Sequence, residues 1–153
     1  MDLILWRHAE AFDAREGQSD LERALTTKGQ RQAERMAVWL ARHLPADARV
    51  LVSPALRAQQ TAAALHRGIT TLPALAPGAT AQAVLHASQW PDAREPVLVV
   101  GHQPTLGLVA AQLLARQGES LALRKGAVWW LRASGRAGAL HVVLHAAMSP
   151  DML

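Results

Sequence analysis

Cysteine is missing from the 153-residue chain, tyrosine too, and phenylalanine occurs once. Without thiols there is no disulfide framework, no thiolate zinc site, no cysteine nucleophile and no cysteine to prenylate or palmitoylate. A reducing compartment fits that lack, and a cytoplasmic protein is expected. Long apolar runs are also lacking. Segments such as Val97-Leu98-Val99-Val100 fall far short of the roughly 18 apolar residues of a spanning helix, so no membrane span is expected. Met1 is followed by Asp2 and then by apolar residues up to Arg7. This reverses the basic-then-apolar order of a secretory signal, and an unexported protein is expected.

What is present points to a single globular core. Half of the residues are hydrophobic and 18% are charged, which separates the chain from disordered tails and coiled coils. Its length predicts a single domain over residues 1–153, and a monomer is expected. The formal net charge of +4 favours anionic partners. The arginines are dispersed, however, and no basic arm, RNP motif or zinc finger is found, so nucleic acid is not expected among them.

Leu3-Ile4-Leu5-Trp6 reads as a buried strand that turns polar at Arg7-His8-Ala9-Glu10. Residues 11–25 have little periodicity and read as a surface loop. Thr27 precedes Gln30 at the capping-box spacing, and Ala33, Met36, Ala37, Leu40 and Leu44 follow at helical intervals, predicting a helix over about 28–43. Val50-Leu51-Val52 reads as a second strand, with Ser53-Pro54 starting a helix to about His66 that stops at Gly68. Residues 69–79 read as loop and 81–89 as a shorter helix. A third strand spans 97–100, and a helix after Gly101-His102-Gln103-Pro104 ends by Gly118. The tail reads as strands over 127–132 and 139–145 around a Gly135/Gly138 turn. The pattern predicts a three-layer α/β/α sandwich with a mostly parallel central sheet, a C-terminal antiparallel hairpin and no lid domain.

Open α/β sheets bind ligands beyond the carboxyl ends of their strands. The first strand delivers Arg7 and His8 to that edge, the second leads to Arg57, and the third ends at Gly101-His102. Arginine forks hold two phosphoryl oxygens at once, and helix amino termini add partial positive charge. The same cations penalise a protonated imidazole, so His8 is expected to stay neutral near pH 7 and to be able to accept a phosphoryl group.

Four elements carry a resemblance. Arg7-His8-Ala9 resembles the arginine–histidine–glycine signature of the histidine phosphatase (phosphoglycerate mutase-like) superfamily. Leu25-Thr26-Thr27-Lys28-Gly29 resembles its Leu-Thr-x-x-Gly element, the stretch from Ser53-Pro54 through Arg57 to Thr61 its second-arginine motif, and Gly101-His102 its second histidine. The likeness spans nearly the whole chain and is greatest to the small SixA-type phosphohistidine phosphatases, which Leu72-Pro73-Ala74-Leu75 and Met148-Ser149-Pro150 also resemble. It implies that His8 is the transiently phosphorylated nucleophile. Arg7, Arg57 and His102 would hold the phosphoryl oxygens, and water would hydrolyse the phosphoenzyme.

The sequence departs from the family pattern at two points. Ala9 stands at the signature glycine, which would be awkward if that position required a positive φ. Larger members place a proton donor in an insertion after the second arginine, yet only 44 residues separate Arg57 from His102, and Ala58 through Pro91 contains no Asp or Glu. An alkoxide leaving group needs an acid worth about 10²–10⁴-fold. The imidazole of a phosphohistidine, with a reference pKa of about 6.5, needs less. The substrate expected is therefore a histidine-phosphorylated phosphotransfer protein. The alternatives are a small phosphorylated molecule acted on by a phosphomonoesterase of the same superfamily, or a non-catalytic phosphoprotein-binding module. Glu10 is a candidate proton donor, and Asp13, Arg23 and Thr27 are candidate residues of the pocket rim.

The remaining histidines have structural readings. His141 and His145 on a strand lie about 13 Å apart on one face, too far to share a metal, and His43, His66 and His86 sit near helix ends. With no His-x-His or His-Glu-x-x-His spacing either, neither a metal nor another cofactor is expected. Trp129 and Trp130 alternate across a strand, one toward the core and one half-exposed.

Overall fold

Alternate side chains of the central strands feed two separate apolar layers. The computed structural model describes residues 1–114, 120–135 and 139–153. Strand β1 (Asp2–Arg7) is followed by α1 (Thr27–His43), β2 (Arg49–Val52), α2 (Leu56–Ala63) and β3 (Thr70–Thr71). Then come α3 (Ala81–Ser88), β4 (Val97–Gly101), α4 (Thr105–Leu113), β5 (Val128–Ser134) and β6 (His141–Met148). The strands form one sheet in the order β3-β2-β4-β1-β5-β6. β1, β2, β3 and β4 pair in parallel, while β5 pairs antiparallel with both β1 and β6. This is the α/β architecture expected, down to the antiparallel hairpin.

Ile4 and Trp6 of β1 point to the layer that holds Met36, Ala37 and Leu40 of α1 and Ala58 and Ala62 of α2. Leu3 and Leu5 point to the opposite layer, with Val84 of α3 and Leu106, Val109 and Ala110 of α4. A strand covered on both faces has no polar alternation, which is why residues 3–6 read as a continuous apolar run. All four are fully buried, and a side chain of this size contributes about 1.5–3 kcal/mol when removed from water. The Trp6 indole keeps its polar atom satisfied, donating Nε1–H to the Gly126 carbonyl at 3.0 Å. Asp2 fixes the start of β1 to β5, accepting from Arg132 at 2.8 and 2.9 Å and from the Trp130 indole at 3.0 Å. Among the described residues no helix is long and apolar enough to cross a membrane.

Several boundaries differ from the sequence reading. The cap of α1 is Thr26, whose hydroxyl accepts from the Gly29 amide, so the helix begins at Thr27. Helix α2 begins at Leu56 without a side-chain cap and ends at Ala63, short of His66, which has a φ of +50°. Ser53 is drawn instead into the site described below. The supposed loop over 69–79 contains β3 and a 3-10 turn at Pro73–Leu75, and residues 11–25 contain another at Asp20–Glu22. The helix end at Gly118 and the Gly138 half of the hairpin turn lie outside the described residues.

Candidate active site

Parallel strands β1, β2 and β4 end on one edge, and the chain delivers a polar residue there from each. The His8 amide donates to the Gly101 carbonyl at 3.0 Å, and the Ser53 amide to the Val100 carbonyl at 3.0 Å. His8, Ser53 and His102 therefore emerge side by side, while Arg57 reaches the same point from the first turn of α2. His8, Arg57 and His102 are buried, and the imidazole centroids lie 5.1 Å apart.

Hydrogen bonding fixes both rings. His8 Nδ1 lies 2.8 Å from the Ala9 carbonyl. A carbonyl only accepts, so Nδ1 carries the proton and the neutral ring presents a bare Nε2. Arg57 Nε donates to that atom at 3.3 Å. His102 has the converse arrangement, with Nε2 bonded to the Ser53 hydroxyl at 2.7 Å and Nδ1 lying 3.4 Å from an Arg57 terminal nitrogen. One guanidinium thus faces a lone pair on each ring. Burial pushes His8 down to about 4, opposed by the Ala9 carbonyl and reinforced by Arg57, Arg7 and Arg23. Burial also pushes His102 down to about 3, with help from His8 and Arg57. Both rings are neutral at physiological pH.

Arg7 is held by one donor, its Nη1 at 2.8 Å from the Leu123 carbonyl. Its Nε is buried without a hydrogen-bond partner among the described residues, and burial lowers its affinity for its proton. Ala9 takes no positive φ, since His66 and Gln89 are the non-glycine residues that do among those described. Its amide donates to the Thr61 hydroxyl at 3.0 Å, and that hydroxyl donates to the Arg57 carbonyl at 2.7 Å. The methyl group packs with Ala11, Leu25 and Ala33.

The rim residues are placed unevenly. The Glu10 carboxylate accepts from the Thr26 hydroxyl at 2.8 Å, which turns it toward the start of α1. Arg23 enters the site through Asp20, donating Nη1–H to Oδ1 at 3.0 Å. Asp13 and Thr27 are exposed, and neither makes a side-chain hydrogen bond or ion pair to the site among the described residues. Sequence reasoning missed two participants. Ser53 was read only as a helix cap. Asp20, in an aperiodic stretch, pairs through Oδ2 with Arg57 at 3.0 Å; Arg23 first, and then Arg57, holds its carboxyl below the usual range. Serine directly after a strand, beside the second-arginine motif, was a usable signal for the first; Asp20 carried none. Among the described residues no three His, Asp or Glu side chains form a metal-holding cluster.

Chemically, the arrangement is a buried cationic cradle around two unprotonated imidazoles, suited to an oxyanion and an acceptor nitrogen. Comparison with known proteins identifies the family. The profile of the histidine phosphatase superfamily (branch 1) matches residues 3–77. The phosphohistidine phosphatase SixA of Escherichia coli K12 is 34% identical over 126 residues, covering 74% of each chain. An uncharacterized protein of Picosynechococcus sp. is 34% identical over 155 residues, covering 95% of this chain and 90% of its own. Among solved structures, the protein histidine phosphatase SixA complexed with tungstate superposes with a TM-score of 0.82 at 28% identity, covering 99% of both chains. Motif order, fold and identity over most of the chain lead to one conclusion: the chain belongs to branch 1 of the histidine phosphatase superfamily and has its small, SixA-like form.

Proposed function

We propose that the protein is a phosphohistidine phosphatase that takes the phosphoryl group from a phosphorylated histidine of a phosphotransfer protein through a covalent intermediate on His8. The observation that carries this reading is the bare Nε2 of His8, held 3.3 Å from the Arg57 guanidinium by a ring whose other nitrogen is committed to the Ala9 carbonyl. In the first step Nε2 bonds to phosphorus as the phosphorus–nitrogen bond of the substrate breaks, and the leaving imidazole takes a proton from solvent. In the second, water attacks phosphorus, phosphate leaves and His8 is restored.

Arg7 and Arg57 hold the phosphoryl oxygens, and the orphaned Arg7 Nε gains a partner. His102 sits among positive charges, and a dianion placed there reverses the local field. Its affinity for a proton then rises, and it can donate to a phosphoryl oxygen. The tungstate carried by the SixA relative, an oxyanion, supports an oxyanion site. The substrate class is supported by the short connection between Arg57 and His102, which holds no carboxylate up to Pro91 to protonate an alkoxide.

The test is phosphate release from a histidine-phosphorylated phosphotransfer domain and from an aryl phosphate, in EDTA, with His8→Ala as control. Fast release from the phosphohistidine protein, abolished by His8→Ala, is the expected result. Preference for the aryl phosphate would instead identify a general phosphomonoesterase, and silence on both a binding module.

A further inference from the structure

Arg57 faces more than the two histidines. Its Nη1 donates to the Asp20 carbonyl at 2.8 Å and its Nη2 to the Asp20 carboxylate at 3.0 Å. The side chain of Asp20 is 52% exposed and that of Arg57 is 5% exposed, so a surface carboxylate reaches inward to neutralise a buried cation. The segment that carries it is built: Ser19 and Glu22 form a reciprocal capping box around the 3-10 turn. The second Asp20 oxygen is held by Arg23 at 3.0 Å, and Arg23 in turn is tied to the Phe12 carbonyl at 2.7 Å.

We propose that Asp20 is a specificity-determining competitor, its carboxylate occupying the edge of Arg57 that a phosphoryl oxygen takes and yielding only to a dianion. This inference rests on the phosphatase reading of the site. A carboxylate and a phosphoryl oxygen want the same planar fork of donors. The carboxylate brings one charge, is half-solvated and touches Arg57 alone among the proposed phosphate ligands. A phosphoryl dianion brings about two charges and engages Arg7 as well. The dianion therefore wins the exchange, and Arg23 remains as a partner for the displaced carboxylate. A monoanion gains no such advantage. The same competition works on the product, since Asp20 returning to Arg57 helps to expel phosphate.

The test is calorimetric titration of inorganic phosphate into the wild type, Asp20→Asn, Asp20→Ala and Arg57→Ala at pH 8. Asparagine keeps the shape and the backbone carbonyl that Arg57 uses, and removes the competing charge. Phosphate is expected to bind Asp20→Asn about two- to fivefold more tightly, the scale of one partly exposed ion pair. Asp20→Ala is expected to shift in the same direction, and product inhibition to strengthen in step. A merely structural Asp20 would give the opposite sign, because a loosened turn weakens the site. Unchanged or weaker binding in both Asp20 variants overturns the proposal. Arg57→Ala separates the two readings: if it binds phosphate as the wild type does, the site itself is misplaced. If it loses binding while the Asp20 variants match the wild type, the competitor alone is rejected.

Discussion

Arg57 Nε points at His8 Nε2 from 3.3 Å, so one guanidinium orients the proposed nucleophile and, in the proposed reaction, stands where phosphoryl charge develops. Removal of such a preorganised donor costs about 10²–10³ in turnover. Arg57→Ala is expected to lose at least that in kcat/KM, with weaker phosphate binding, because the charge serves ground and transition states together. Arg57→Lys is expected to recover little, since a point charge lacks the planar fork. Steady-state kinetics on the phosphohistidine substrate decide this, and full activity in Arg57→Ala would place the site elsewhere.

One buried hydrogen bond joins Ser53 to His102. In Ser53→Ala the buried Nε2–H of His102, now 2.7 Å from the hydroxyl, is left without an acceptor. An unsatisfied buried group costs about 1–3 kcal/mol. The variant is expected to melt earlier and to lose kcat more than KM, as the His102 ring loses its fixed orientation. A kcat equal to wild type in a folded Ser53→Ala would remove His102 orientation from the mechanism.

Both site histidines make stability fall in acid. Their ordinary value is 6.5, and in the fold His8 lies near 4 and His102 near 3. The folded chain therefore binds these protons later than the unfolded chain does. Stability is complete above about pH 6.5 and is lost as the pH drops from there toward 4 for His8 and toward 3 for His102, a range in which the unfolded state holds more protons. Asp2, kept below the usual carboxylate range by Arg132, adds its own loss at lower pH. Urea unfolding at pH 7.5 and 5 is expected to give a smaller drop for His8→Asn than for the wild type. Equal drops would show that His8 does not carry the linkage.

Gly29 explains the glycine of the Leu25–Gly29 element. A Cβ there would overlap the Glu10 carbonyl oxygen, which accepts from the Thr26 amide at 3.0 Å. Neither backbone can yield, so Gly29→Ala is expected to destabilise by about 2 kcal/mol or more. It should also lower activity by pushing Glu10 and the adjoining His8 segment away from α1. Chemical denaturation and turnover of the variant check this, and wild-type stability would refute the close approach.

The main elements were legible because they follow local rules. The apolar run at 3–6 is continuous because both faces of β1 are covered, and the spacing of Ala33, Met36, Ala37 and Leu40 marks the buried face of α1. Strand β3 was not legible, since two exposed residues, Thr70 and Thr71, hold no period. At the start of α1, two adjacent threonines offered the same hydroxyl, and the choice of Thr26 was made by its amide's bond to the Glu10 carbonyl.

By itself the sequence determined which side chains reach the carboxyl edge of the parallel strands: Arg7, His8 and His102 stand at strand ends, and Arg57 at the start of a helix. Local periodicity and chain direction suffice for that placement. Only the tertiary structure decided what those side chains do to one another. The bare nitrogens of His8 and His102 and the Asp20 carboxylate meet Arg57 across separations of 49, 45 and 37 residues. No local pattern encodes them. The His8 proton is set by its chain neighbour Ala9, but that of His102 is set by Ser53, 49 residues away, whose position depends on how β2 and β4 align.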